Sequence, residues 1–136
     1  CCKYSTRRPR IMASILRVNT LTDASSNNSV AMSVVAGGSA KVTSSTNAAG
    51  TTINGSTNVS SLTDSATGKQ VLNLSSSFAN TNYTPICGVG NKDDGNARDT
   101  MIRSVATGSY ATNIYSTISS AFSDDATSST AHGDLA

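Results

Sequence analysis

Three hydrogen-bonding residue types dominate this chain and limit the folds open to it. Serine, threonine and asparagine supply 24, 18 and 12 residues, which is 54 of the 136. All eight acidic residues are aspartate, so the acidic residue with the higher helix propensity, glutamate, does not occur in the sequence. Short polar and β-branched side chains favour strands, turns and helix caps over helix interiors. The composition therefore predicts an all-β protein and argues against a helical bundle.

The length and the apolar content limit the size of the hydrophobic core. A chain of 136 residues accommodates one domain. Only 37% of the residues are hydrophobic, with four Tyr, two Phe and no Trp. Disorder is the alternative for so polar a chain, but charged residues are only 13% and apolar clusters recur, as at 29–35 and 71–74. Because association adds apolar burial to a small core, we expect a homo-oligomer, with a trimer as the first candidate.

Basic residues are concentrated at the start of the chain. Lys3, Arg7, Arg8 and Arg10 precede Met12, and the sequence from Met12 onward contains six basic residues and eight aspartates. We therefore expect residues 1–11 to be a basic leader outside the native domain, with Met12 as the natural start. The remainder lacks the extended basic face of a nucleic-acid-binding protein. It also lacks an apolar run of about 18 residues, so we expect no membrane insertion.

Strand-length segments recur at intervals of roughly 10–12 residues after a turn-rich beginning, a spacing typical of sandwiches and barrels. We predict an extended arm or loose hairpin over 12–40 and an antiparallel β-sandwich or jelly-roll-like domain over 41–136. The predicted strands are Ala40–Ser45, Asn58–Thr63, Lys69–Ser75, Tyr83–Val89, Thr100–Ala106, Thr112–Ser119 and Ser129–Leu135.

Two segments show the period-2 alternation of half-buried strands. Leu72 and Leu74 should share the buried face of their strand, with Asn73 on the other face. A five-residue connection, 64–68, should precede this strand, and Gly68 should supply its positive φ. The second segment places Ile114, Ser116 and Ile118 together on the face opposite Tyr115.

Charged and amide side chains cluster between Val89 and Thr100. An EF-hand loop with Gly95 at its sixth position would place Gly90 and Lys92 at ligand positions, which excludes that motif, although a looser calcium site is an alternative. We expect an exposed hairpin loop that binds no metal or cofactor. The candidate ligand contacts of this loop are Asn91, Lys92, Asp93, Asp94, Asn96 and Arg98.

The residues that usually carry catalysis occur without a catalytic pattern. His132 is the only histidine, and Asp93–Asp94 and Asp124–Asp125 are sequence neighbours that would point to opposite faces of a strand. The three cysteines lack the spacing of a zinc site. For Cys87 a free thiol buried in a strand and a bridge to Cys1 or Cys2 both stay open. We predict that the protein is not an enzyme.

Large aromatic side chains are candidates for subunit contacts because aromatic residues are enriched in interfaces. The alternative is that the same side chains fill the core of the monomer. The candidate residues are Tyr83, Tyr110, Tyr115 and Phe122.

Several short motifs, in their order along the chain, resemble small virion proteins of tailed phages, especially those of marine and cyanobacterial hosts. They are Met-Ala-Ser-Ile-Leu-Arg-Val-Asn-Thr-Leu at 12–21, Asn-Val-Ser-Ser-Leu-Thr-Asp at 58–64 followed by Gly68, Val-Leu-Asn-Leu at 71–74, Phe-Ala-Asn at 78–80, Asn-Tyr at 82–83 and Gly-Asp-Leu-Ala at 133–136. Members usually carry a Trp-bearing strand where Lys41-Val42-Thr43 stands here.

The resemblance implies a virion structural protein, a tail fibre or appendage used in particle assembly and host attachment. It implies no catalytic residues, and it supports Met12 as the natural start. On this basis residues 12–40 would fasten the protein to other virion proteins, and a host surface glycan becomes a candidate partner. The alternatives are a capsid decoration or cement protein and a lectin-like receptor-binding module.

Overall fold

The computed structural model describes residues 18–22, 29–89 and 97–136, and the chain divides into two units, 1–32 and 33–136. In the first unit, strands β1 (Thr20–Thr22) and β2 (Ser29–Ala31) pair antiparallel, so this part of the predicted arm is a hairpin. A short helix, α1 (Met32–Gly38), follows β2 and was not predicted. It ends at the glycine pair 37–38, where the Ser39 hydroxyl donates a hydrogen bond to the Val35 carbonyl, 2.6 Å away.

The second unit is built from β-strands in two sheets. The strands are β3 (Ala40–Thr46), β4 (Ile53–Thr57), β5 (Val59–Ala66), β6 (Lys69–Leu74), β7 (Thr84–Val89), β8 (Arg98–Ala106), β9 (Ser109–Ser116), β10 (Ala121–Phe122) and β11 (Thr127–His132). One sheet has the order β4-β3-β11-β7. The other has the order β8-β9-β6-β5, and β10 pairs with β9 beyond the end of β6.

All strand pairs are antiparallel, and the inner faces of the two sheets meet in one core, which confirms the predicted antiparallel β-sandwich. The four-stranded sheet contributes Val42 and Ala131 to this core, and the five-stranded sheet contributes Leu72 and Tyr110. Phe78 and Tyr83, from the connection between β6 and β7, complete it as a stacked pair with ring centroids 3.9 Å apart.

The β5–β6 hairpin confirms the predicted alternation and corrects the predicted turn. Leu72 is fully buried, Leu74 packs against the core, and the Asn73 amide bonds to hydroxyls on the opposite face. The connection is shorter than predicted because β5 continues to Ala66. Gly68 has the expected positive φ, 64°, and a side chain there would place its Cβ 2.6 Å from the Ile114 carbonyl oxygen.

Two further expectations about strands are corrected. Strand β9 ends at Ser116, so Ile118 lies in the following turn with 64% of its surface exposed instead of sharing the buried face of Ile114. Strand β4 was not predicted. Its residues are largely exposed and carry no alternation of polar and apolar side chains, and the strand is held by its pairing with β3.

Candidate functional site

The predicted ligand loop lies mostly outside the described residues, namely at Asn91, Lys92, Asp93, Asp94 and Asn96. Its last member, Arg98, is the first residue of β8, and its side chain is only 7% exposed. The Arg98 Nε atom lies 2.7 Å from Asp125 Oδ2, and that carboxylate is also buried. Arg98 therefore forms an internal ion pair that joins β8 to the segment before β11, a different placement from the predicted exposed contact.

The neighbouring aspartates 124 and 125 do not form a two-carboxylate catalytic site. Asp124 accepts a hydrogen bond from the Gly68 backbone amide, so it holds the β5–β6 turn. Asp125 turns the other way, towards Arg98. Each carboxylate thus has its own structural partner.

Two of the four aromatic residues proposed as subunit contacts lie inside the sandwich. Tyr110 is fully buried and Tyr83 is 6% exposed, so the structure favours the alternative that these two side chains fill the monomer's core. Tyr115 and Phe122 are half-buried and pack edge to face, with ring centroids 5.6 Å apart. A subunit contact through Tyr115 and Phe122 stays a prediction.

The interior between the sheets contains two clusters of hydrogen-bonded polar side chains. In the first, the hydroxyls of Tyr110, Ser129 and Ser44 form a chain with 2.7 Å at each step. In the second, the hydroxyls of Thr46 and Thr127 lie 2.9 Å apart, and each is 3.3 Å from the Gln70 carbonyl oxygen. Both clusters cross from one sheet to the other. They satisfy polar groups that would otherwise destabilise the core.

Cys87 and His132 do not form a catalytic pair. Both residues are on strands of the four-stranded sheet, but Cys87 pairs with Ser129 and His132 pairs with Thr84, which separates them by three residue positions, about 10 Å. Cys87 is a free thiol, and burial raises its pKa, which opposes formation of the reactive thiolate. The His132 Nδ1 atom lies 2.9 Å from the Gly38 carbonyl oxygen.

A groove of about 380 Å³ lies on the outer face of the five-stranded sheet. Its floor comes from the two central strands, with Val71 on β6 and Ala111 and Asn113 on β9. These residues alternate with core residues such as Leu72 and Thr112, which is why they face outward. Its volume is within the range of small-molecule sites.

Two cationic side chains border this groove from opposite sides of β9. Lys69 pairs with Asn113 from β6, and Arg103 pairs with Ala111 from β8. The Lys69 Nζ atom lies 4.4 Å from the centre of the Phe122 ring, a cation–π contact that directs the ammonium group over the groove wall. Among residues 18–22, 29–89 and 97–136, neither cation forms a salt bridge with a carboxylate.

Polar groups in the groove are partly without protein partners. Asn113 is 9% exposed, and its side chain makes no hydrogen bond within the described part of the chain. Ser65 and Ser104 add hydroxyl groups at the rim. Ser104 has a φ of 50°, at an irregularity in the pairing of β8 with β9, and such left-handed non-glycine residues cluster at functional sites.

No sequence pattern identified the groove. Lys69 begins one predicted strand and Asn113 lies in another, but the sequence predicts no ligand contact at either residue. The alternation of side chains along the two strands was the available signal. Successive residues of a strand point to opposite faces, so a lysine and an asparagine between core residues indicate a polar outer face of the sheet. Only the strand order brings the two residues together.

Comparisons with protein-family models, with curated proteins and with solved structures gave no match. No helix in the described ranges combines the length and the apolar character required to cross a bilayer. In the same ranges, no three or more His, Cys, Asp or Glu side chains come together as a candidate metal site. The geometry of the chain and its sequence resemblance to phage virion proteins are therefore the observations that bear on its function.

Proposed function

We propose that this chain is a virion structural protein of a tailed phage, a tail fibre or appendage that acts in particle assembly and host attachment and has no catalytic activity. The virion location is supported by the sequence resemblance. The attachment role is supported by one structural observation, the groove beside Lys69 and Arg103 on the outer face of the five-stranded sheet. A rigid scaffold that presents such a recess suits recognition of an external ligand.

The lectin-like receptor-binding module is the second candidate function, and the same groove favours it. An aromatic ring, an amide and hydroxyl groups around a recess are the groups that hold sugars by apolar contact and hydrogen bonds. The two functions are compatible because a receptor-binding module can form the tip of an appendage. A capsid decoration protein, by contrast, needs no recess.

Purified particles provide the direct test of the virion proposal. Mass spectrometry of gradient-purified virions should detect the protein, and antibody labelling in electron micrographs should place it on the tail. A copy number in the hundreds per particle would instead favour the decoration protein, whereas tail fibres number a few dozen. Absence of the protein from purified particles would contradict both.

The proposed partners are a second copy of the chain and other virion proteins. A homotrimer would add apolar burial to the small core, with the half-buried Tyr115 as the aromatic residue proposed at a subunit contact, while Phe122 lines the groove. Residues 12–40 would attach the assembly to the particle. Sedimentation equilibrium of the full chain tests the oligomer, because a stably folded monomer at micromolar concentration would contradict it.

A further inference from the structure

We infer that the groove beside Lys69 and Arg103 is a binding site for an anionic saccharide, a sugar that bears a carboxylate or a sulfate group. This inference rests on the proposed attachment function and specifies the class of ligand. Three features of the described residues carry it: the placement of two cations, the amide of Asn113 in the groove, and the apolar lining from Val71, Ala111 and Phe122.

Two of the four basic side chains among the described residues lie at the groove. The described residues contain four basic side chains, Lys41, Lys69, Arg98 and Arg103. Arg98 is buried in its pair with Asp125, and Lys41 donates to the Ser39 hydroxyl, so the remaining two are the ones at the groove. A guanidinium group binds carboxylate and sulfate oxygens through paired N–H donors, and the ammonium group adds a second positive charge.

Asn113 supplies the polar floor. Asn113 is 9% exposed and lines the groove, and its amide bonds to no other described side chain or backbone group. Its amide atoms are not fully buried, so they keep contact with water through the groove. A ligand hydroxyl or carboxylate in the groove would take the place of that water and accept a hydrogen bond from the amide.

Apolar residues of the groove distinguish a saccharide from a simple anion. Val71, Ala111 and Phe122 line the groove, and the Lys69 ammonium group lies over the Phe122 ring, 4.4 Å from its centre. The C–H groups of a sugar ring would pack on this apolar lining, while the acidic substituent reaches the cations. A nucleic acid is disfavoured because its phosphates need a basic surface longer than two residues, and the described residues also contain five aspartates.

Calorimetric titration of the full-length protein tests the inference. The probes are a galacturonic acid oligosaccharide, its neutral methyl ester, a sulfated galactose oligosaccharide, and a thymidine oligonucleotide. We expect at least one acidic saccharide to bind and to weaken as salt is raised, since screening reduces the attraction between charges. The methyl ester should bind at least about tenfold more weakly than its acid, because it loses a charge-assisted hydrogen bond.

The variants Arg103→Gln and Lys69→Gln should each weaken binding of the acidic saccharide by about tenfold or more. Lys41→Gln, a matched change on the four-stranded sheet, should leave binding unchanged. Asn113→Ala should weaken binding without lowering the thermal midpoint, since its amide has no protein partner to lose. If Asn113 only stabilised the fold, Asn113→Ala would instead lower the thermal midpoint and leave the saccharide affinity of the folded protein unchanged.

The outcomes separate this inference from the proposed function. Equal binding of the acid and its methyl ester would overturn the anionic class and leave the attachment role in place. Binding of none of the saccharides, or tighter binding of the oligonucleotide, would overturn the saccharide site even if the protein is found on virions. Acid-selective binding by a protein absent from virions would support the site and contradict the phage proposal.

Discussion

The hydroxyl group of Tyr110 lies 2.7 Å from Ser129 Oγ, and this contact joins the two sheets of the sandwich through the middle of the core. Ser129 in turn contacts the Ser44 hydroxyl at the same distance. Tyr110 thus contributes a hydrogen bond to the core as well as buried apolar area. Removal of its hydroxyl oxygen tests the contribution of that hydrogen bond separately.

Tyr110→Phe should lower the free energy of unfolding by about 1–2 kcal/mol, because a buried hydrogen bond is lost while the ring stays in place. Chemical denaturation measures the change. Tyr115→Phe is the matched control, since the Tyr115 hydroxyl makes no hydrogen bond within the described ranges. Its effect should stay below about 0.5 kcal/mol. Equal effects of the two substitutions would show that the Tyr110–Ser129 contact does not stabilise the fold.

The buried ion pair gives a second prediction. Asp125→Ala should cost about 3–5 kcal/mol, because it removes the carboxylate that lies 2.7 Å from the buried Arg98 guanidinium group. Asp134→Ala, at an exposed aspartate near the end of the chain, serves as the control and should cost little. The double substitution Arg98→Met with Asp125→Leu should cost less than Asp125→Ala alone. The free energy of unfolding that the double variant loses could equal the sum of the losses caused by Arg98→Met and Asp125→Leu made singly. That result would contradict the pairing of the two side chains.

The apolar core gives a third prediction. Leu72→Ala should lower the free energy of unfolding by about 2–5 kcal/mol, because the side chain is fully buried and its loss leaves a cavity. Ile118→Ala removes a similar volume from an exposed turn and should cost less than about 0.5 kcal/mol. Urea denaturation of both variants checks the difference. A cost below ~1 kcal/mol for Leu72→Ala would contradict the register of β6.

Tyr83 gives a prediction about alkaline pH. Burial, followed by the negative charge that Tyr110 acquires on ionisation, raises the pKa of Tyr83 from 10.0 to about 12. The Tyr83 hydroxyl oxygen also lies 2.6 Å from the Ala106 carbonyl oxygen and 3.0 Å from the Ser109 carbonyl oxygen, and both accept a hydrogen bond only from the protonated phenol. The unfolded chain therefore ionises first. The corresponding stability is present below pH 10 and is lost as the pH rises towards 12.

Tyr83→Phe should therefore flatten the fall in stability between pH 10 and 12. The pKa of Cys87 is raised as well, so both proteins in the comparison should carry Cys87→Ala. Tyr115→Phe in the same background should retain the full slope of the parent. The measurement is the free energy of unfolding at several pH values, and an unchanged slope for Tyr83→Phe would contradict the raised pKa.

The parts of the fold that could be predicted from the sequence are those where side-chain character alternates. Leu72 and Leu74 indicated the buried face of β6 because every second residue of a half-buried strand points into the core. Strand β4 could not be recognised in this way, since nearly all of its residues face solvent. Its position depends on backbone hydrogen bonds to β3, and these bonds do not require particular side chains.

The groove could not be predicted for a different reason. Lys69 and Arg103 are 34 positions apart, and they border one recess only because β9 lies between β6 and β8. Hairpin pairs such as β5–β6 can be read from local turn signals, but the pairing of β6 with β9 joins strands from different hairpins. The Arg98–Asp125 ion pair depends on the same long-range order.

The polar clusters between the sheets also affect how stability responds to temperature. Unfolding exposes Thr46, Gln70 and Thr127 to water together with the apolar core, and hydration of polar groups lowers the heat capacity that apolar exposure raises. The net heat-capacity increment is therefore smaller than for an all-hydrocarbon core of equal area. A smaller increment gives a flatter stability curve, so this sandwich retains more of its stability in cold water than a sandwich stabilised by apolar burial alone.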